Sequence, residues 1–396
     1  MSEFSNTAEK RINDLFKFMM GLINGKKGAD LVKKYNLITE NYIPADVLAV
    51  FDRLFNADIK VDEMKTASNK LFNILYKTLN SYPNIKFKEN SFIDLLHKDN
   101  EIALRKLLNT RPFIKKINKE IDTDSIAELK TRFVELEKFM LHYTVKENVL
   151  FPILESNWQE HQCVKLMWSF HDDIRRNFKK TNDILNSKEF DLKEFNKYSS
   201  LLFFNINTIK FREEKVLFPI MIETLKSSVL EKMLDETIKM GLPFVKINKK
   251  MTTKYIDESF KDNLIEFATG KVTIEQIEII FNHLPIDITY VDENDEVRFF
   301  SNPPHRIFPR TAAIIGRKVH NCHPPESVHV VEKIVASFKS GEKSVASFWI
   351  HVGPKYVLIQ YFAVRNKKGE YKGTLEVSQE ISGIQKIKGD RKLLDW

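Results

Sequence analysis

Cysteine and glycine are scarce in this sequence of 396 residues, which holds 2 cysteines and 12 glycines. The two cysteines, Cys163 and Cys322, lie far apart, which excludes a disulfide framework and is typical of a reducing compartment. No apolar run reaches the roughly 18 residues that a membrane-spanning helix needs, and we find no export signal. We therefore expect a cytoplasmic protein that does not enter a membrane.

Charge of one sign is not concentrated in any long block. The 62 basic residues exceed the 54 acidic ones and give a net charge of +8, but lysine and glutamate are mixed along the same segments. Because nucleic-acid binding needs a basic patch or a known motif, we expect no specific nucleic-acid partner. Apolar residues, in contrast, make up 43% of the chain, which supports sizeable cores in two or three domains.

The spacing of apolar residues divides the chain into a helical part and a mixed part. From about Ser5 to Glu236, apolar residues recur every three or four positions, which predicts amphipathic helices. From Asp287 onward, short β-rich runs and one helix closed by Gly341 predict an α+β domain of about 100 residues. The predicted strands are 288–291, 297–300, 347–350, 356–362 and 373–377, with a helix over 326–340.

We expect five segments along the chain. They are a helical N-terminal section over 1–82, a four-helix bundle over 90–236, a linker and connecting helix over 237–275, the α+β domain with a five-stranded antiparallel sheet over 276–385, and a tail over 386–396. Because the sequence ends about fifteen residues after the last predicted strand, we expect no output domain behind it. Output would then pass through the N-terminal section or an unidentified protein partner.

One phrase occurs twice, as ENVLFPI from Glu147 to Ile153 and as EKVLFPI from Glu214 to Ile220. In each copy a glutamate precedes a proline by five residues. A proline inside a helix removes a hydrogen bond and clashes with the preceding turn, so each phrase is predicted to kink or end its helix. Two core-facing helix ends with solvated glutamates would explain the repeat without any chemistry.

Histidines accompany the repeated phrase. His97 lies four residues before Glu101, His142 lies five residues before Glu147, and His171 stands among apolar residues. Positions four apart share one helical face, and a long glutamate side chain brings positions five apart within reach of the same ion. Such a set of imidazoles and carboxylates in a helical bundle predicts a metal site, which suits iron, with zinc or manganese as alternatives.

The series of motifs resembles the hemerythrin-like, or His-His-Glu cation-binding, domain over residues 90–236. The matching motifs are His97-x-x-x-Glu101, His142-x-x-x-x-Glu147-x-x-x-Phe151-Pro152, His171-Asp172-x-Ile174-Arg175 and Glu214-x-x-x-Phe218-Pro219. The resemblance implies an up-down bundle with a non-haem iron centre, often of two irons, bridged by carboxylates from the second and fourth helices. Glu147 and Glu214 would take those bridging positions.

The chain departs from the oxygen-carrying members of that family at two positions. Aligning the two phrases places Ile209 opposite His142, where those members have a histidine in the fourth helix. Arg175 stands where their third helix has a second histidine. A site with fewer histidines leaves room for exogenous ligands or for a single metal, and it argues against reversible oxygen carriage.

The order of strands and helix from Asp287 to Glu380 resembles a PAS sensor domain. The stretch RIFPRTAAIIGRKVHNCHPPESVHVVEKI resembles a PAS subgroup found behind hemerythrin-like domains, in proteins that begin with a helical family of unknown function. The whole chain thus resembles one three-part architecture. Because PAS domains often pair through flanking helices, the resemblance implies a homodimer.

Cys322 and His323 are candidate ligands for haem in the PAS domain, since cysteine and histidine both ligate haem iron. Alternatively, His323 and Pro324 form only the turn that enters the long helix, because proline fits a first helical turn. Cys322 is also a candidate redox-sensitive thiol.

Three functional hypotheses follow. The first is a sensor, in which a non-haem metal centre responds to a small diatomic gas such as oxygen or nitric oxide, or to a redox partner, and the PAS domain relays the signal. The second is a di-iron enzyme acting on nitric oxide or peroxide, or in repair of iron centres. The third is a metal-free helical scaffold for interactions. The sequence favours the first, because a sensor-like domain is attached and no nucleophile or substrate-binding motif is evident.

Overall fold

The computed structural model describes residues 2–37, 41–57, 59–83, 86–158, 163–247, 264–267 and 269–389. The chain divides into two compact units, Met1–Lys249 and Lys250–Trp396. Residues 248–263 of the predicted linker and 390–396 of the predicted tail lie outside the described residues. No helix within the described ranges is long and apolar enough to cross a membrane.

The first unit is helical throughout its described length. Its helices are α1 Ser2–Ile23, α2 Gly28–Lys34, α3 Pro44–Asn56, α4 Val61–Ser81, α5 Phe92–Leu108, α6 Arg111–Ile117, α7 Thr123–Glu137, α8 Met140–Val145, α9 Phe151–Asn157, α10 Cys163–Leu185, α11 Leu192–Arg212, α12 Phe218–Thr224 and α13 Ser227–Met240. Side chains cap the start of three of them, because Ser91, Asp122 and Asp191 each accept a hydrogen bond from a first-turn backbone N–H.

Four long segments of this unit pack as a closed ring. Helix α5 contacts α7 and α11, and α10 contacts the same two helices from the other side. The periodicity explains the packing, since Leu129, Phe133 and Leu136 on α7 are buried at positions four and three apart. We call the helices α5, α7, α10 and α11, together with the segments that continue them, the helical bundle.

Helices α1 to α4 share one continuous hydrophobic core with the bundle. Arg212, at the end of α11, marks the join: its guanidinium lies 4.0 Å from the ring centroid of Phe170 on α10 and 4.8 Å from that of Phe72 on α4. It also donates to Ser68 Oγ at 3.0 Å and to Asn69 Oδ1 at 2.6 Å. Burial lowers the pKa of Arg212 to about 9. The predicted N-terminal section is therefore part of the same body as the bundle.

Each repeated phrase contains a π-helical turn, Lys146–Leu150 in the first copy and Glu213–Leu217 in the second. The N–H of Phe151 donates to Lys146 O, five residues back, and Phe218 repeats this with Glu213 O. Each turn lies directly before a Phe-Pro pair, where a regular helix would set the proline ring against the preceding carbonyl. The wide turn interrupts the helix at the predicted place and buries neighbouring positions.

The second unit contains an α+β domain. A five-stranded antiparallel sheet has the order β4-β3-β7-β6-β5, and its strands are β3 Asp287–Asp292, β4 Val297–Phe300, β5 Val345–Val352, β6 Lys355–Arg365 and β7 Tyr371–Glu380. Helix α15, Pro325–Ser340, connects the second strand of this sheet to the third, and Gly341 ends it in a left-handed conformation. These five strands and the helix confirm the predicted sheet.

A hairpin that the sequence analysis did not predict precedes the sheet. Strands β1 Leu264–Phe267 and β2 Gly270–Thr273 pair with each other and lead into α14, Ile274–His283. Thr273 starts α14 with a capping box, because it exchanges hydrogen bonds with Gln276.

Candidate metal centre in the helical bundle

Each of the three predicted histidine ligands places its Nδ1 against a carboxylate. His142 Nδ1 lies 2.9 Å from Asp99 Oδ2, and His171 Nδ1 lies 2.8 Å from Glu147 Oε1. His97 Nδ1 lies 2.7 Å from an oxygen of Glu214. Because an ionised carboxylate only accepts, these contacts place a proton on Nδ1, and in a neutral imidazole they leave a lone pair on Nε2. Histidines that ligate metals characteristically have this carboxylate partner behind them.

Two of these histidines are enclosed by the bundle. The side chains of His142 and His171 are fully buried, and their Nε2 atoms have no hydrogen-bond partner among the described residues. Burial lowers the pKa of both imidazoles, and the nearby Lys146 ammonium lowers it further. Both shifts favour the neutral imidazole, in which Nε2 carries an electron pair.

Aromatic rings fix the orientation of the two imidazoles. Phe139 stacks on His142 with centroids 4.6 Å apart, and Phe151 stacks on His171 at 5.4 Å. Tyr143 contacts both imidazoles, at 5.6 Å and 4.5 Å, and its hydroxyl is also buried without a described partner. These two Nε2 atoms and the Tyr143 hydroxyl are thus buried polar atoms without a described partner, which is costly unless something binds them.

A buried ion pair crosses the bundle beside the histidines. The Lys146 ammonium donates to Glu213 Oε1, and both side chains are fully buried. Asn100 Nδ2 donates to the other glutamate oxygen at 3.2 Å, and the ammonium lies 4.5 Å from the ring centroid of Tyr143. Burial lowers the pKa of Lys146, but the Glu213 carboxylate opposes that effect.

The two glutamates of the repeated phrase contact different partners. Glu147 accepts from His171 and, at 2.6 Å, from Arg175 Nη2. Glu214 contacts His97 and accepts from Lys210 Nζ at 2.7 Å. The structure therefore places the expected bridging carboxylates in two separate groups, and the residues that meet across the repeat are their predecessors, Lys146 and Glu213.

His97, Glu101 and Glu214 form the second group, nearer the surface. Among the described residues, they are the set of three potential ligands whose donor atoms all lie within 4.8 Å of one another. The Lys210 ammonium already pairs with two of them, at 2.8 Å from Glu101 and 2.7 Å from Glu214. A cavity of about 510 Å³ adjoins His97 and Glu214.

Sequence reasoning missed Asp99, Lys146 and Glu213. The repeat itself held the signal, because extending each phrase by one residue toward the N-terminus gives KENVLFPI and EEKVLFPI. Those added residues are the first residues of the two π-helical turns, which bury them. Since a π-turn changes the helical period, spacing rules for an α-helix select the following glutamates instead.

The two candidate haem ligands, Cys322 and His323, lie just before α15. Cys322 packs against the small core of Val291, Val297 and Ile314, and its thiol donates to Lys318 O at 3.6 Å. His323 lines an internal cavity of only about 20 Å³. That volume suits one water molecule, whereas ligand pockets measure about 300 Å³ or more, so we derive no chemistry through haem here.

His323 makes the stability of the second unit depend on pH. Its burial, together with the charges of Arg310 and Arg317, lowers its pKa to about 4. In the unfolded chain His323 binds a proton near pH 6.5, whereas in the folded domain it does so only near pH 4. Stability therefore falls as the pH falls through this range. Between about pH 7.5 and pH 5, we expect a loss of about 1 to 2 kcal/mol. Amide hydrogen exchange of β6 and β7 in the full chain measures this loss.

The matched variants for this measurement are His323→Leu and His320→Leu. The first should remove most of the pH dependence, and the second should keep it. Equal pH dependence in the two variants would show that another group is responsible.

Residues 277–382 match the PAS domain family. The match spans the five-stranded sheet and α15, so residues 277–382 of the chain form a PAS domain. A PAS domain indicates a sensory or signalling role. No curated protein matches the chain at a significant level.

Several solved structures are similar to parts of the chain. A C-terminal domain from Streptococcus mutans is 30% identical over 32% of this chain and 98% of that one, with a TM-score of 0.30. The sensor region of a sensor histidine kinase is 16% identical over 25% of this chain and 41% of that one, with a TM-score of 0.21. The PAS domain of a protein from Colwellia psychrerythraea is 12% identical over 28% of this chain and 98% of that one, with a TM-score of 0.23.

Proposed function

We propose that this protein is a metal-dependent sensor, in which His142 and His171 hold a non-haem metal ion inside the helical bundle and the PAS domain integrates or relays the signal. The observation that carries the proposal is the pair of buried Nε2 atoms without partners, each on a ring whose Nδ1 is held by a carboxylate. Neutral imidazoles with carboxylates nearby suit iron, with zinc or manganese as weaker candidates.

The protein's own residues would orient and shield the metal ligands. Asp99 holds His142 and accepts a second hydrogen bond from the backbone N–H of Phe244 at 3.0 Å, which fixes the carboxylate in turn. Arg175 does the same for Glu147. Phe139 and Phe151 stack on the two imidazoles and would shield them from water. A bound metal with open coordination positions would supply the affinity for a diatomic gas or the response to a redox partner.

The signal would be a shift between two conformations of the protein. A ligand can shift such an equilibrium only if it binds the two conformations unequally. We propose that the PAS domain passes the change on to a protein partner, and that the chain works as a homodimer in a cytoplasmic setting. The exposed edge strand β5, with Trp349 62% and Val345 51% exposed, is consistent with such contacts.

A second candidate is a metal-free bundle that acts as an interaction scaffold. The observation that favours it is that a lysine ammonium lies at each group of carboxylates: Lys146 at Glu213, and Lys210 at Glu101 and Glu214. These ammonium groups compensate the carboxylates without any metal. The two candidates differ in whether the purified chain binds a metal at all.

Metal content of the full chain tests the proposal. Protein without a histidine tag, reconstituted anaerobically with ferrous iron, should retain metal after desalting, and the double variant His142→Ala/His171→Ala should retain less by a factor of at least about ten, because both nitrogen ligands are lost. Mass spectrometry of the metal gives the ratio per chain.

The matched control is His320→Ala/His329→Ala, which removes two histidines from the second unit. It should retain as much metal as the unmodified protein. Full retention by the His142/His171 double variant would contradict the assigned ligands, and no metal in the unmodified protein would leave the scaffold as the better reading.

A further inference from the structure

Lys146 and Glu213 occupy equivalent positions in the two halves of the bundle. Each is the residue before the repeated phrase and the first residue of a π-helical turn. Each is fully buried, and the two side chains meet as an ammonium and a carboxylate. The two copies of the repeat therefore place equivalent residues in contact inside the bundle, but these residues carry opposite charges.

The opposite charges of Lys146 and Glu213 limit the number of metal ions that the interior can bind. Two carboxylates facing each other across a bundle can bridge a pair of metal ions. Here one of the two positions carries the Lys146 ammonium, which lies 4.5 Å from the ring centroid of Tyr143, and that ring contacts both imidazoles. A second metal ion would have to bind beside that ammonium.

We propose that the bundle holds a single metal ion and that the Lys146 ammonium permanently takes the place of a second one. This inference rests on the proposed metal centre and specifies its nuclearity. The site is then asymmetric: Glu213 is neutralised from the side by Lys146, and the metal ion binds only on the side of His142 and His171.

The charges of the interior agree with one divalent ion. Four carboxylates belong to the histidine cluster, namely Asp99, Glu147, Glu213 and Asp172, while Lys146 and Arg175 supply two positive charges. The cluster with neutral histidines therefore has a net charge of −2. One divalent cation brings this charge to zero, whereas two would leave an uncompensated charge of +2 in a buried site, which is strongly unfavourable.

The Lys146→Glu variant tests this inference by making the two positions alike. Full-length protein reconstituted anaerobically with ferrous iron should bind about one ion per chain, and Lys146→Glu should bind about two, because it supplies a second inward carboxylate and removes the ammonium. The matched control is Lys180→Glu, an exposed position on α10, which should stay at about one ion. Circular dichroism of each variant confirms that the bundle is folded.

The outcomes separate this inference from the proposed function. Two ions in the unmodified protein, both of them lost in the His142→Ala/His171→Ala variant, would overturn the single-ion site and leave the metal-dependent sensor standing, and this result decides the question even if Lys146→Glu does not fold. One ion in both the unmodified protein and a folded Lys146→Glu variant would show that Lys146 does not limit the count. No ion in any variant would remove the metal centre itself.

Discussion

Replacement of Glu213 by leucine should lower the free energy of unfolding of the helical unit by about 3 to 5 kcal/mol. The cause is the ammonium of Lys146, which is fully buried and loses its charged partner in this variant. Asn100 also loses its acceptor, so a second buried polar group is left unpaired. The double variant Lys146→Met/Glu213→Leu should recover most of the loss, because two apolar side chains can fill the same space without any desolvated charge.

Urea unfolding followed by far-ultraviolet circular dichroism, in the presence of a chelator, measures these free energies. Glu194→Leu is the matched control, because Glu194 lies on α11, the helix that leads into Glu213, and pairs with Lys197 at the surface. It should change stability by less than about 1 kcal/mol. The account of the ion pair would fail if Glu213→Leu were as mild as the control, or if the double variant were less stable than the single one.

Gly373→Ala should disrupt the PAS sheet and cost more than about 3 kcal/mol. Gly373 lies in the central strand β7 with φ of +138°, a conformation that side chains disfavour. A Cβ atom at this position would lie 2.1 Å from the backbone oxygen of Val291 and 2.8 Å from Cε2 of Tyr290. The carbonyl belongs to the neighbouring strand β3, where Val291 also packs in the core, so it cannot move without breaking the sheet.

Gly369→Ala provides the comparison, because Gly369 has φ of +80° in the turn before β7 and no atom within 4 Å of the added Cβ. It should cost about 1 kcal/mol, from backbone strain alone. Hydrogen exchange of β3 and β7 in the full chain measures both variants. Equal losses in the two variants would show that the close approach to Val291 is not what requires glycine.

The helices and strands of both units were predictable wherever the spacing of apolar residues in the sequence matches the face that the element buries. Apolar spacing predicts the helices because each buries one face, as α7 does with Leu129 and Phe133. The strands of the sheet were predictable for the same reason, and the turn at Gly341 needs a left-handed conformation that glycine adopts easily. The hairpin of β1 and β2 was missed because its residues are largely exposed, so no alternation of buried and exposed positions marks it.

The histidines of the candidate site were predictable from the sequence, but their partners were not. Asp99 contacts His142 from 43 positions away, and no local pattern indicates that contact. Lys146 and Glu213 are the first residues of two π-helical turns, and the α-helical spacing used to read the sequence does not describe such turns. A buried lysine also contradicts the ordinary expectation that lysines lie at the surface.

Arg212 connects the first four helices directly to the helical bundle. Its guanidinium is held between a ring of α4 and a ring of α10 and is bonded to two side chains of α4, so it contacts the N-terminal helices and the bundle at once. An output module on a flexible tether would respond to its sensor only through the tether. Here Arg212 joins the two parts by direct side-chain contacts, so a displacement of α11 would break its bonds to α4 unless the first four helices moved with it.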